Sequence, residues 1–105
     1  MNDSEFCKCS EAALAMIEAR LDASGSDVDY FMSGDGVLEI ECAGGGKIVV
    51  NRHRAAQEIW VASRLGGTHF RWDGQNWRST QDGKDLLAVL SARLSADLGA
   101  DVDLS

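Results

Sequence analysis

Apolar residues recur along the chain at two different spacings, and each spacing predicts a different kind of element. Between residues 5 and 21 they return every three or four positions, the period of an amphipathic helix. The apolar positions are Phe6, Ala13, Leu14, Ile17 and Leu21. Asn2, Asp3 or Ser4 can cap the start of this helix, because such side chains accept hydrogen bonds from its free amides. The Ser-Gly-Ser segment at 24–26 predicts its end.

The central part of the chain has the pattern of a β-sheet. Short runs rich in β-branched and aromatic residues predict six strands, at about 27–33, 36–42, 47–51, 58–64, 68–73 and 76–80. Gly-rich breaks separate most of them and are short enough to join neighbouring antiparallel strands. The segment 52–57 is the one ambiguous connection.

The last third of the chain predicts a closing helix. Its apolar positions at helical spacing are Leu86, Leu87, Leu90 and Leu94. Asp82 is the predicted cap of this helix, and the tail after Gly99 is predicted to be loose. Because each helix has a single apolar stripe, both should pack on one face of the sheet and leave the other face in water. The predicted fold class is α+β: a two-layer sandwich in α-β6-α order, forming a single domain over residues 1–105.

The charge of the chain is strongly asymmetric. The formal net charge is −7, and residues 1–35 hold eight acids against two bases. Residues 36–96 hold six acids and eight bases, so one side of the molecule should be acidic and another weakly basic. An acidic balance of this kind argues against a nucleic-acid partner.

The cellular setting is predicted from what the chain contains. No stretch approaches the roughly 20 apolar residues that span a bilayer, and the first residues do not resemble a signal peptide. Three cysteines are an odd number and too few for a secreted disulfide framework. We therefore expect a soluble cytoplasmic protein with reduced thiols, without membrane contact.

Carboxylates form the main candidate site. On a helical wheel Glu11, Glu18 and Asp22 share a stripe with Cys7, beside the apolar face. Asp3 stands at the helix entrance, and two more acids stand on one side of the first strand, because strand side chains alternate. They would join the stripe if that strand is the sheet edge beside the helix. We name the six carboxylates the acidic ridge: Asp3, Glu11, Glu18, Asp22, Asp27 and Asp29. Such a row suits weakly held hard cations with oxygen ligands. The alternative is an ordinary solvated face.

Other reactive residues do not form a recognisable catalytic pattern. Cys7 and Cys9 point about 200° apart on a helix and cannot share a metal ion, so only Cys7 is kept as an accessory ligand. His53 and His69 lack zinc-site spacing and are interpreted as surface or turn residues. No hydrolase, zinc-protease, phosphate-loop or dinucleotide motif is present. The prediction is a binding protein, not an enzyme.

The sheet face offers a second candidate. Alternation in the strand at 58–64 sends Ile59 and Val61 to one face and Trp60 to the other. The same rule places Asn51 on the face opposite Val50, so that Trp60 and Asn51 belong to the open side. Trp60 is either an exposed interface anchor or a structural residue partly covered by its neighbours.

Several segments resemble the frataxin family: Gly-Val-Leu at 36–38, Ile-Val-Val-Asn-Arg at 48–52, Ile-Trp-Val-Ala-Ser at 59–63 and Gly-Gly-Thr-His-Phe at 66–70. The opening Met-Asn-Asp-Ser-Glu-Phe is similar to the bacterial branch of that family. The resemblance covers nearly the whole chain and implies the helix, sheet and helix order predicted above.

The resemblance also implies a function in iron–sulfur cluster assembly. It implies weak binding of iron, as Fe²⁺ or Fe³⁺, for which other divalent cations can substitute, and contact with a cysteine desulfurase and an iron–sulfur scaffold protein. The matching ridge residues are Asp3, Glu18, Asp22, Asp27 and Asp29, of which Glu18 and Asp22 are also the partner-binding residues. Asn51 and Trp60 match the sheet surface implicated in scaffold contact. The alternative function is a ferroxidase and iron-storage protein. Without metal we expect a monomer.

The chain departs from the family pattern at a few positions. Ala19 and Ala23 follow Glu18 and Asp22 where relatives often carry further acids. Cys7 stands where a histidine is familiar, and the turn after Asn51 has lost its usual proline. Fewer acids should weaken metal binding, which disfavours the ferroxidase alternative.

Overall fold

The first helix follows directly from its caps and its apolar stripe. The computed structural model describes all residues from Met1 to Ser105. Helix α1 runs from Asp3 to Ser24, and the Asn2 side chain accepts a hydrogen bond from the Glu5 amide at 2.8 Å. Gly25 ends the helix with a φ of 65°, a left-handed conformation that glycine adopts without strain. Its buried face includes all five apolar positions predicted from the sequence.

Six antiparallel strands follow in simple chain order. Their bounds are β1 Val28–Met32, β2 Val37–Cys42, β3 Lys47–His53, β4 Glu58–Ser63, β5 Gly66–Trp72 and β6 Trp77–Ser79. Each strand pairs with its neighbours in the chain, so β1 and β6 are the two edges. The ambiguous segment is resolved as the last residues of β3 and a turn into β4.

Helix α2 spans Leu86–Leu98 and closes the structure. Its cap is Asp85, whose carboxylate accepts from the Leu87 amide at 3.1 Å, so the prediction of Asp82 is wrong. Asp82 instead accepts a hydrogen bond from the Lys84 amide within the preceding turn. Asp85 is the cap because it stands immediately before the first helical residue, where its side chain reaches the free amides of the helix.

Both helices contribute to one core on one face of the sheet, which confirms the predicted two-layer α+β sandwich. The core joins α1 and α2 to alternate residues of the strands, including Leu38, Ile40, Ile48, Val50, Ile59, Val61 and Phe70. The intervening residues of each strand lie on the other face, which no helix covers. We call it the open face. Neither helix is long and apolar enough to cross a membrane.

The prediction of a loose tail is wrong. Leu104 is 1% exposed and belongs to the core. The tail runs back along α2, where the Val102 amide donates to Ser95 Oγ at 2.9 Å and the Leu104 amide to Ser91 Oγ at 2.9 Å. Two serine hydroxyls on the helix therefore replace the backbone partners that an isolated tail lacks.

Candidate functional site

Helix α1 presents its carboxylates in a row. Asp3, Glu11 and Asp22 are exposed and Glu18 is half-buried. Since a helix rises about 1.5 Å per residue, Asp3 and Asp22 lie about 28 Å apart along the axis. A single ion cannot contact both ends. The helical part of the acidic ridge is therefore an extended charged surface and not a cage.

Arg52 divides this row. Its side chain is only 9% exposed, with Nη1 3.6 Å from Glu11 Oε1 and Nη2 2.9 Å from Asp35 Oδ1. The same Nη1 donates to Ser10 Oγ at 3.3 Å. Because a fixed cation already faces Glu11, this carboxylate is the least available of the ridge for a metal ion. Asp35 was not predicted, since it meets Arg52 through a turn and shows no periodic signal.

Asp22 is tied to the edge of the sheet. Tyr30 Oη donates to Asp22 Oδ1 at 2.7 Å, which connects the end of α1 to β1. This hydrogen bond raises the pKa of Tyr30 above its usual value, helped by burial and by the negative charges of Asp22 and Glu18. The carboxylates of Glu18 and Asp22 have no basic side chain within ion-pair distance. They form the uncompensated part of the ridge.

The two strand acids lie at the sheet edge as expected, but one of them faces away from the helix. Asp27 is exposed just before β1. Asp29 pairs across the strands with Glu41, next to the core pair Tyr30 and Ile40, so alternation places Asp29 on the open face. Like charges directly opposite each other are unfavourable, and a cation between them would relieve the repulsion. The structure thus separates Asp29 from the helical carboxylates.

No preformed metal cage is present. No group of three or more histidine, cysteine, aspartate or glutamate side chains converges closely enough to hold a metal ion. Cys7 is half-buried, and its Sγ accepts a hydrogen bond from Arg54 Nη2 at 3.3 Å, which places a cation beside the thiol. A neighbouring guanidinium disfavours a metal ion at Cys7. Any ion on the ridge would be held by a few carboxylates and keep most of its waters.

The open face carries a stack of three rings. The Trp60 indole lies between the imidazoles of His53 and His69, with ring centroids 4.1 and 4.4 Å away and interplanar angles of 6° and 7°. We call His53, Trp60 and His69 the aromatic stack. Asn51 and His69 are the direct cross-strand neighbours of Trp60, and Asn51 lies on the same face as Trp60, as alternation predicted. Trp60 is half-buried.

Glu58 anchors the aromatic stack from one side. Trp60 Nε1 donates to its Oε1 at 2.8 Å, Arg71 Nε donates to its Oε2 at 2.8 Å, and His69 Nδ1 lies 3.3 Å from Oε1. Burial alone would raise the pKa of Glu58. The hydrogen bonds from Arg71 and Trp60 and the nearby charges outweigh burial and hold that pKa below its usual value. Glu58 is not among the residues predicted from the sequence, although its spacing of two from Trp60 places both on one strand face.

The comparisons with known proteins agree with this architecture. A family model described as a frataxin-like domain matches residues 1–100. A protein of Dechloromonas aromatica named iron–sulfur cluster assembly protein CyaY is 51% identical over 104 residues, which are 99% of each chain. The protein of the same name from Neisseria meningitidis serogroup B is 42% identical over 105 residues, covering 100% of this chain and 97% of its own.

A solved structure extends the agreement to the fold. The frataxin from Psychromonas ingrahamii superposes with a TM-score of 0.92 at 30% sequence identity, over 100% of this chain and 99% of that one. The similarity thus includes both helices, all six strands and the tail. Together with the full-length sequence matches, it shows that this chain belongs to the frataxin family.

Proposed function

We propose that this protein binds iron and regulates iron–sulfur cluster assembly, acting on a complex of cysteine desulfurase and scaffold protein and delivering iron to it. Relatives of similar length carry the name iron–sulfur cluster assembly protein. The observation that carries the proposal is the uncompensated pair Glu18 and Asp22 on the exposed side of α1. In this proposal iron is cargo, held weakly enough to be passed on.

The acidic ridge is the proposed contact for the desulfurase. Residues 1–35 carry a net charge of −6 out of the −7 of the whole chain, and a concentrated field of one sign steers association with a basic surface. The open face, with Asn51 and Trp60, is the proposed contact for the scaffold. Because the helical carboxylates of the ridge and the open face lie on different sides of the molecule, both partners can bind at once.

A charge-reversal experiment tests the ridge contact. Glu18→Lys combined with Asp22→Lys should weaken desulfurase binding by at least about tenfold at low salt, since both charges lie in the proposed interface. Asp101→Lys with Asp103→Lys is the matched control, because it changes the net charge equally at exposed sites in the tail. Equal weakening by both pairs would attribute the effect to net charge. Unchanged binding by the folded ridge variant would remove the ridge from the interface.

Iron binding needs a separate test. A paramagnetic divalent ion should broaden the amide signals of Glu18, Asp22 and their neighbours first, at metal concentrations typical of weak sites. The Glu18→Lys, Asp22→Lys variant should lose this early broadening. Broadening centred on His53 and His69 would place the metal on the open face instead.

A binding role is favoured over the ferroxidase alternative. Oxidation of iron by oxygen is helped when several ligands hold two irons close together. The carboxylates of α1 stand side by side, and Glu11 is engaged by Arg52. Oxygen consumption after anaerobic loading with Fe²⁺ distinguishes the two functions. Consumption no faster than that of free iron is expected.

A further inference from the structure

We propose that His53 and His69 are positioning residues of the sheet-face contact. Stacked on Trp60, they form with it a single apolar surface, which we call the shelf. Protonation of the two imidazoles gives the shelf a positive charge, so that partner docking weakens as the pH falls. This inference rests on the proposed scaffold contact of the open face. It assigns a role to two histidines whose sequence pattern predicted ordinary surface or turn residues.

The geometry shows why Trp60 cannot act alone. Both faces of its indole are covered by imidazoles at stacking distance, so a partner reaches only the ring edge. The edges of the three rings form one continuous surface across β3, β4 and β5. A docking side chain therefore contacts the stack as a unit. Aromatic anchors held rigidly before binding are efficient, because little conformational freedom is lost on association.

Each imidazole is fixed by a contact that depends on its protonation. His53 Nδ1 accepts a hydrogen bond from the Ala56 amide at 3.3 Å, which requires that nitrogen to carry no proton. His69 Nδ1 lies 3.3 Å from Glu58 Oε1, so a proton on this nitrogen would form an ion pair with the carboxylate. Protonation would thus break the contact that holds His53 and strengthen the one that holds His69. Histidine side chains change charge between about pH 5 and 8, so this difference falls in an accessible range.

The charges around the stack decide the direction of the effect. Glu58 is the nearest acid, but Arg71 already pairs with it at 2.8 Å, so the two cancel. Arg78 on β6 lies opposite Arg71 and pairs with Asp73 at 3.3 Å, while Glu39 and its partner Lys47 lie further towards β1. Two protonated histidines would therefore leave the cluster with a net positive charge. An apolar partner that covers it would have to strip water from these charges, which is costly.

The paired charges limit what the partner can carry. Arg71 pairs with Glu58 at 2.8 Å and Arg78 pairs with Asp73 at 3.3 Å, so neither arginine is an unpaired cation. The ring edges of the aromatic stack are the part of this surface left to bind, and they are apolar. We infer a scaffold segment that lays an apolar side chain across the ring edges.

The first test needs no partner. The Trp60 indole N–H signal should shift between pH 8 and 5 as the flanking imidazoles gain charge. In His53→Phe, His69→Phe, which keeps two flanking rings but removes the titration, that shift should disappear. The Gln double variant provides the same readout if the Phe variant is poorly folded. An indole signal that stays constant in the natural protein over this range would overturn the proposal.

The second test measures scaffold binding at pH 7.5 and 5.5 by calorimetry. The natural protein should lose at least about tenfold more affinity at the lower pH than the Phe double variant, because only its shelf becomes charged. Titration of the scaffold itself affects both proteins equally. Arg78→Gln is the matched control: it removes a charge near the stack that does not change over this pH range, so the variant should keep the natural pH dependence. The same pH dependence in the natural protein and the Phe variant would refute the role of the histidines.

Trp60→Ala separates this inference from the proposed function. If it binds the scaffold normally at pH 7.5, the sheet-face contact is wrong, and the inference fails with it. If it weakens binding while the Phe variant keeps the natural pH dependence, the contact stands and the inference alone fails. Replacing both histidines by Ala should weaken binding at pH 7.5, since the shelf is then narrower. Tighter binding by the Ala double variant would mean that the imidazoles shield Trp60 from the partner and do not take part in the contact, which would refute the proposal.

Discussion

Glu58 is a buried carboxylate, with 9% of its side chain exposed. It lies on the open face, where no helix covers it, and owes its burial to the side chains of Trp60, His69 and Arg71. A buried carboxylate is tolerated only when hydrogen bonds replace the lost water. Here every one of these bonds comes from a residue of the proposed scaffold contact. The bonds that stabilise the buried Glu58 carboxylate therefore also hold the side chains of that contact in place.

Glu58→Gln should lower the free energy of unfolding by about 1–3 kcal/mol at pH 7, because it removes charge-assisted hydrogen bonds. The pKa of Glu58 is lowered in the folded state. Its stabilisation is therefore complete above the unfolded-state pKa and is lost as the pH falls through the lower folded-state pKa. The variant should be less sensitive to acid than the natural protein below about pH 4.3.

Urea unfolding at pH 7 and in the acid range measures both effects. Glu41→Gln is the control, since Glu41 is an exposed acid on the same face. If both variants lose equally little stability, the hydrogen bonds to Glu58 contribute nothing net.

For single residues, the sequence predicted the sheet face on which a side chain lies but not the side chains that it contacts. Alternation correctly placed Asn51 and Trp60 on the open side. It could not show that two imidazoles cover Trp60, since stacking depends on register and side-chain rotamers in three strands. His53 lies at the end of β3, in the segment whose conformation the sequence left ambiguous, and its role was hidden for that reason.

The turn between β1 and β2 shows how one element constrains another. Gly34 and Gly36 both have positive φ, at 67° and 78°. Nothing surrounds a Cβ added at Gly34, whereas a Cβ at Gly36 would overlap the Arg52 guanidinium. That guanidinium is held in place by Asp35, Glu11 and Ser10. The turn therefore leaves space for the cation that crosses from β3 to α1.

Gly36→Ala should be destabilised by about 1–3 kcal/mol more than Gly34→Ala, because overpacking adds to the backbone strain that both variants share. Thermal or urea unfolding of the two variants gives the difference directly. Equal losses would show that Arg52 moves aside freely. In that case Glu11 would also be available to a metal ion.

The tail is a second element whose role is structural. Leu104→Ala should cost about 2–5 kcal/mol of unfolding free energy, the usual range for a buried leucine. Asp103→Ala, at an exposed neighbouring position, should change stability by no more than about 0.5 kcal/mol. Denaturant unfolding of both variants is the measurement. Similar small losses would mean that the tail is not part of the cooperative core.

Elements were predicted well where their pattern is periodic and poorly where it is not. Both helices and all six strands follow from spacing and turn residues. The tail contains one buried leucine among acids and small residues, and a single apolar position has no period. The cap of α2 was misassigned because Asp82 and Asp85 are both good capping residues, and the choice between them depends on where the chain leaves β6.

At the scale of the whole molecule, the β-sheet separates the proposed desulfurase contact from the proposed scaffold contact. Glu18 and Asp22 lie on the outer helix α1, and Trp60 lies on the open face. Sites more than about 7–10 Å apart without shared partners usually contribute additively to a free energy. The ridge and the aromatic stack should therefore act independently on a complex that contains both desulfurase and scaffold.

The combined variant Glu18→Lys, Asp22→Lys, Trp60→Ala should lose binding free energy equal to the two separate losses, within about 0.5 kcal/mol. The ridge contribution should shrink with salt, while that of Trp60 should change little, because salt screens charges and not apolar contacts. The measurement is the binding free energy of four proteins for the assembled complex at two salt concentrations: the natural protein, the ridge variant, Trp60→Ala and the combined variant. A strong departure from additivity would mean that both surfaces meet the same partner element.

The strand order has a consequence for how the chain reaches this structure. Each strand pairs only with its neighbours in the chain, so every ladder closes across a short loop at small entropic cost. Phe6 on α1 meets Trp77 on β6 with ring centroids 6.0 Å apart, and such contacts join distant parts of the chain. Since local contacts form faster than distant ones, we expect the hairpins to appear early and the docking of α1 to limit the folding rate. Core mutations in α1 should then slow folding more than equally destabilising mutations in the tail.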